Sequence, residues 1–417
     1  MLGFVDDRFA PVGAVFEDGL AGGAEVGASV CVNVDGQTVV DLWGGFADAA
    51  GTRPWQQDTI VNVYSCTKTM TALTALLLAD RGEVDLAAPV SRYWPQFAAN
   101  GKDNVTVAHL LSHSSGLSGW AQPIEATDLY DWAKVTGLLA AQAPFWPPGT
   151  ASGYHVLTQG YLVGEVVRRI TGRTLGTVFR QEFAEPLGAD FHIGLPADED
   201  ARVAEMIPPA GGTTPFADLT ALQANAATNP QLDVAATDSR AWRGAEIPAA
   251  NGTSNARAMA TILAVLACGG VAAGRRLLSE AGCRRALEIQ VEGRDLILNL
   301  PLRFGLGFAV AAQLMPNPNT LYWGGLGGSL VIVDLDARTT FAYAPNRMGD
   351  PAGRRTRPGP GHGHVGSDGP ALTDGGLCRS AGSGRTVSRR RRAAREAGGS
   401  AGRPAGRRPG SAPRTAG

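Results

Sequence analysis

Apolar and polar positions change their period several times along this chain. Two short β-like runs, Val26–Val32 and Thr38–Leu42, flank Asp35-Gly36, a dipeptide that favours a tight hairpin turn. Thr59–Tyr64 predicts a short extended approach to Ser65. From Ser65 to Arg81 the pattern turns helical, with Met70, Leu73, Leu76 and Leu77 on one face and Gly82 as the expected stop. Val105–Leu111, Leu129–Gln142, Thr158–Thr171 and Ala256–Cys268 are further helix candidates, and Pro147-Pro148-Gly149 and Gly211-Gly212 mark loops. Strand character returns at Gly305–Ala311, Leu330–Asp334 and Thr339–Ala344, the last two joined by a turn at Asp336-Ala337. Strands at both ends with helices between predict an α/β (α+β) fold. One sheet is expected from about 25–64 and 303–345, with a helical region of about 82–290 inserted.

Composition adds a boundary. The chain has 417 residues, 44% of them hydrophobic, which fills more than one small core. After Met348 the large apolar side chains nearly vanish. Of 37 basic and 38 acidic residues, fourteen and three fall in 351–417, leaving 23 and 35 in the body. A segment of Gly, Arg, Pro, Ala and Ser cannot bury enough surface to offset its ordering entropy. The expectation is a folded domain over 1–349 and a disordered tail over 350–417. A shifted reading frame in GC-rich DNA would produce the same abrupt change. The run Arg389–Arg392 carries charge without aromatic platforms, so no specific nucleic-acid partner is expected. The tail also contains G-x-S-x-G at Gly398–Gly402 and G-x-G-x-x-G at Gly361–Gly366, neither flanked by a strand or a helix.

The N-terminal residues carry acids where a secretory leader needs positive charge, and no apolar run reaches spanning length. Five cysteines (Cys31, Cys66, Cys268, Cys283, Cys378) are widely spaced and form no C-x-x-C pair. A cytoplasmic protein without disulfides, metal or cofactor is expected, with no membrane partner and the oligomeric state left open.

The candidate chemistry is Ser65-Cys66-Thr67-Lys68, an S-x-x-K at a predicted helix start. Residues three apart share a helix face, so the Lys68 amine reaches the Ser65 hydroxyl. A serine needs a base to become a nucleophile. Burial and the positive end of the helix both disfavour an ammonium, which would leave Lys68 neutral and basic. Taken alone, the motif fits equally well a helix-capping serine and a solvated lysine.

Context changes that balance. The segments V-Y-S-C-T-K-T-M-T-A-L around Ser65, L-L-S-H-S-S-G-L at 110–117, P-G-T-A-S-G-Y-H-V at 148–156, G-Y-L-V-G-E-V-V-R-R-I-T-G at 160–172 and W-G-G-L-G-G-S at 323–329 follow in order. With them the chain resembles the beta-lactamase-like serine hydrolases from about residue 8 to 348: class C beta-lactamases, D-amino-acid peptidases and the esterases of that fold. The resemblance implies an antiparallel sheet flanked by helices, a helical domain, and a catalytic cleft between them. It implies Ser65 as nucleophile, Lys68 as its helper, and Tyr154 as a phenolate or proton relay whose titration couples to Lys68. It also implies an oxyanion hole from the backbone N–H groups of Ser65 and Leu326, with Trp323, Gly324 and Gly325 along the substrate and His155 beside it. His113 falls in a structural turn of the family. Two departures stand out: Val156 replaces the asparagine of Y-x-N, and Trp323-Gly324-Gly325 replaces K-T-G and its carboxylate-binding cation. Both favour a small ester as substrate, acting through an acyl-enzyme, over a beta-lactam or a D-amino-acid peptide. A pocket that binds without turnover is the non-enzymatic alternative. The family's usual C-terminal helix has no counterpart after Ala344, so an apolar sheet face is expected to lie open.

Overall fold

The computed structural model of the protein describes residues 1–209, 219–310 and 315–349. Its largest sheet comprises β1 (Leu2–Val5), β2 (Gly27–Val34), β3 (Gln37–Gly45), β4 (Val291–Arg294), β5 (Pro301–Phe304), β6 (Ala309–Val310), β7 (Thr320–Gly324), β8 (Leu330–Asp334) and β9 (Thr339–Pro345). The order across the sheet is β1-β3-β2-β9-β8-β7-β6-β5-β4, and neighbours run antiparallel. Strands distant in sequence, β2 and β9, meet at its centre, where Cys31 lies opposite Ala342. The β2–β3 turn sits at Asp35 and Gly36, both with positive φ (51° and 74°), as a two-residue hairpin turn of this hand requires.

Helices α1 (Ala10–Ala21), α2 (Thr67–Asp80), α3 (Thr158–Thr171) and α4 (Ala256–Ala267) do the covering. α1 lies on the outer face, where Phe9, Val12 and Phe16 pack on Val30, Val32, Val40 and Leu42. α4 lies on the inner face, tied to the sheet by Ser29 Oγ accepting from Ala256 N–H and by Thr340 Oγ1 donating to Ala260 O. α2 carries the candidate nucleophile segment and is buried along Thr67–Leu78. Its threonines are accommodated because Thr69, Thr71 and Thr74 donate to the carbonyls of Cys66, Pro248 and Met70.

Three expectations change. Thr59–Tyr64 does approach Ser65, but Val61–Asn62 pairs in a separate small sheet with Thr253–Ser254 and Phe191–His192, not in the main one. Of the expected strand Gly305–Ala311, whose last residue lies outside the described ones, 305–308 form a turn before the short β6, because Gly305 and Gly307 pass against Ala286 O and Ala72, where an added Cβ would come within 2.1 Å of each. The outer face is not bare: α1, which the apolar pattern did not reveal, covers the β1-β3-β2 half, while Phe341 and Tyr343 stay half-buried at its margin. The tail from 350 and its two glycine motifs lie outside the described residues, as does the Gly211-Gly212 loop.

Because α1 is the only cover of that half among the described residues, its anchors should be costly to lose. Phe16→Ala is expected to destabilise the fold by about 3–5 kcal/mol, the range for emptying a buried aromatic site. Urea unfolding should show this as a lower midpoint at unchanged slope.

Candidate active site

The approach to Ser65 is strained. Tyr64 has φ 43°, a left-handed conformation that a bulky residue adopts at a cost of about 1–3 kcal/mol. Several bonds over-determine it. Its N–H donates to Asn62 Oδ1 (3.1 Å), its hydroxyl pairs with Thr237 Oγ1 (3.0 Å), and its carbonyl accepts from Thr67 Oγ1 (2.5 Å). Thr67 Oγ1 in turn accepts from Gly252 N–H (2.8 Å). A 3-10 turn over Tyr64–Cys66 then opens α2. Ser65 is not a helix cap: its Oγ faces Tyr154 and Lys68 instead.

Lys68 is 1% exposed. Its Nζ lies 2.7 Å from Val156 O, 2.8 Å from Ala249 O and 3.3 Å from Ser65 Oγ. Burial pushes its pKa well below the ordinary lysine value, with Cys66 opposing weakly. A neutral amine has two N–H donors and one lone pair. The two carbonyls take the donors, which leaves the lone pair for the Ser65 hydroxyl proton.

Tyr154 donates to Ser65 Oγ at 2.7 Å, and Trp323 Nε1 donates to Tyr154 Oη at 3.3 Å. Burial raises the Tyr154 pKa, with Ser65 and Trp323 pulling it only partly back. Of the two expectations for Tyr154, burial disfavours the phenolate and fits the proton relay: the same dry environment favours the neutral form of both groups. Hydrogen bonds then point one way, from Trp323 through Tyr154 and Ser65 to Lys68.

His155 corrects a second expectation. It is fully buried, Nδ1–H donates to Gly153 O (2.6 Å), and Nε2 accepts from Ser115 Oγ (2.7 Å). Burial lowers its pKa to about 3. Both nitrogens are engaged, so it props the Tyr154 segment and does not line the substrate. His113 does the same from the other side, accepting from His155 N–H at 3.1 Å, its ring packed edge-on to Tyr154.

The opposite wall is the end of β7. β6 pairs with β7 only at Ala309–Tyr322 and Val310–Leu321, so Trp323 and Gly324 have a strand neighbour on one side only. Gly325 is forced: an added Cβ would meet Ser329 Oγ at 2.3 Å and Val63 O at 2.5 Å. Gly324 is exposed and sterically free. Ser329, which donates to Val63 O (2.7 Å) and accepts from Cys66 Sγ (3.4 Å), stitches this loop to the nucleophile segment. Sequence reading missed Ser329, since a lone serine after glycines carries no signal. Leu326 is 65% exposed. Its N–H and that of Ser65 have no partner among the described residues.

With this geometry in view, the relatives are informative. Residues 12–359 match the Beta-lactamase family model. The chain is 38% identical over 378 residues to the esterase/beta-lactamase LipL of Mycobacterium tuberculosis, covering 84% of each. It is similar to the crystal structure of a family VIII carboxylesterase, with 43% identity and a TM-score of 0.80 over 84% of this chain and 94% of that one. A penicillin-binding protein homologue from Caulobacter crescentus shows 38% identity and a TM-score of 0.79, with the same coverage. The chain belongs to the beta-lactamase family.

If neutral Lys68 is the base, protonating it switches the site off. Activity is expected to fall as pH drops through the lowered Lys68 pKa, at a pH well below the range of an ordinary lysine. Lys68→Met should remove that acid limb and cut kcat by about 10²–10⁴, and Tyr154→Phe should also lower kcat strongly. A pH–rate series on the three proteins checks this. Unchanged turnover in either variant removes that residue from the proton path.

Proposed function

We propose that the protein is a carboxylesterase that hydrolyses small esters through an acyl-enzyme on Ser65. The observation that carries the reading is that Ser65 Oγ lies within hydrogen-bond reach of both the Tyr154 hydroxyl (2.7 Å) and the buried Lys68 Nζ (3.3 Å). Ser65 Oγ attacks the ester carbonyl while its proton passes to Lys68 Nζ. The carbonyl oxygen gains negative charge, and the unpartnered N–H groups of Ser65 and Leu326 are the donors for it. When the tetrahedral intermediate collapses, the leaving alkoxide takes the Tyr154 proton, and Lys68 restores it. Water then attacks the acyl-enzyme by the same relay, releasing the acid and returning the proton to Ser65. No cofactor enters this scheme.

Trp323 supports an ester over a beta-lactam or a peptide. Where the resembling beta-lactam- and peptide-directed enzymes hold a cation, this site presents an uncharged indole whose single N–H is engaged by Tyr154. The similar family VIII carboxylesterase supports an ester substrate, while the mycobacterial relative carries both names, esterase and beta-lactamase. The proposal assigns catalysis to residues 1–349, which contain every group named here. No helix of the described residues is long and apolar enough to cross a membrane. Cys31, Cys66, Cys268 and Cys283 are buried and unpaired, which supports a cytoplasmic setting.

Ser65→Ala is expected to abolish both ester hydrolysis and fluorophosphonate labelling, with mass spectrometry placing the parent's adduct on Ser65. An adduct on any other residue overturns the assignment. A missing charge-assisted bond to a substrate carboxylate is worth about 1.5–3 kcal/mol. Short-chain p-nitrophenyl esters should therefore exceed nitrocefin in kcat/KM by about tenfold or more. Comparable values for the two substrates would sink the ester preference.

A further inference from the structure

Tyr154 lies on a segment with no regular secondary structure, between the Pro147–Gly149 loop and the start of α3. Something other than a helix or a sheet must hold its main chain. Gly153 N–H donates to His113 O (2.9 Å) and His155 N–H donates to His113 Nδ1 (3.1 Å). The N–H of Tyr154 between them donates to Asp295 Oδ1 (3.0 Å). Alternate N–H groups go to opposite sides, as in a strand whose neighbours are side chains.

Asp295 is 1% exposed and belongs to the loop joining β4 to β5. The same Oδ1 accepts from Ile297 and Leu298 N–H, both at 2.9 Å, and Asp295 main-chain atoms bond Leu300 and Asn299 (2.9 Å each). Those contacts build the loop. The bond to Tyr154, far back in the chain, adds nothing to the loop's own turn. A second link, Leu296 N–H to Ser152 O (2.8 Å), joins the same two segments. Asp295 Oδ2 is buried with no hydrogen-bond partner. A carboxylate with one oxygen triply occupied and the other bare is poorly explained by stability alone.

Resting on the assignment of Ser65, Lys68 and Tyr154 above, we propose that Asp295 is a positioning residue: it anchors the Tyr154 main chain and thereby holds the phenol on Ser65 Oγ. Its effect runs entirely through Tyr154.

That dependence gives the test. In the full-length protein, Asp295→Ala is expected to lower kcat on p-nitrophenyl acetate by about tenfold or more, since small misplacements of reacting groups are costly, while KM stays within about threefold. Asp295→Asn keeps an acceptor oxygen for the three N–H groups and should recover most of the turnover. In a Tyr154→Phe background, adding Asp295→Ala should change the residual rate, and the rate of fluorophosphonate labelling, by less than about twofold. Arg294→Ala cuts the Arg294–Asn299 bonds of the same loop and should leave kcat at the parent value. Should Asp295→Ala not fold, Asp295→Glu carries the same comparison, since it keeps the acceptor but displaces it by one methylene. The proposal is overturned if the Asp295 effect persists undiminished without the Tyr154 hydroxyl, if KM rises while kcat holds, or if Arg294→Ala costs as much turnover. Loss of the parent reading would look different: Ser65→Ala would then retain activity.

Discussion

The structure turns on one buried amine. Among the described residues no carboxylate pairs with Lys68; its Nζ meets two carbonyls, a serine hydroxyl and, at 4.8 Å, the Tyr154 ring. An ammonium in that position would lose its hydration and gain only uncharged partners in return, so burial lowers the pKa and favours the neutral form. Much of the surrounding architecture serves to keep that position dry and the two carbonyls in place. α2 is buried on all sides, Val156 O comes from the irregular Tyr154 segment, and Ala249 O comes from the segment leading to α4. A helix exposed on one face would leave the lysine hydrated and protonated, and Ser65 without a base.

The same environment acts on the hydroxyl pair in a way that suits the proposed relay. Low polarity raises the phenol and lowers the amine, so the two groups resist charge in opposite directions. A proton leaving Ser65 moves toward the amine, and a proton wanted by a leaving oxygen is available on the phenol. Strain at Tyr64 is the structural counterpart of this arrangement. The left-handed turn directs Ser65 out of the helix axis toward Tyr154, where a regular helical start would leave it capping its own backbone.

How much of this could be read in the sequence depends on whether the cause was local. The hairpin at Asp35-Gly36, helix Thr158–Thr171 and strand Leu330–Asp334 are written in short-range patterns, and the structure places them with nearly the same bounds. The S-x-x-K spacing likewise brings Ser65 and Lys68 together because i and i+3 must share a face. What stayed hidden is long-range. Helix α1 has only a weak apolar stripe and is defined by the sheet it covers. The neutral phenol of Tyr154 follows from burial, which no motif records. His155 stands next to Tyr154 in the chain, but neighbours in an extended segment face opposite sides, so its ring turns to Ser115. Asp295 sits in a run of leucine and isoleucine without any motif, and its meaning comes from a bond to a residue far back in the chain.

Trp323 shows how one replacement reorganises the site's chemistry. A lysine there would add a positive charge near Lys68, favour an anionic phenol, and attract a substrate carboxylate. The indole removes that charge and instead donates to the phenol oxygen, filling the acceptor side of Tyr154 while its proton remains on Ser65. It also packs on Tyr154 and Phe304, with ring centroids 5.0 and 5.4 Å apart, which covers one side of the phenol. Val156 acts in the same sense from the other wall: its side chain offers no amide to a peptide-like substrate, while its carbonyl holds the Lys68 amine. The two departures from the family pattern therefore act together. In the pattern the chain resembles, each replaces a contact suited to amide or carboxylate substrates, and the indole in addition brings no positive charge near Lys68 and Tyr154.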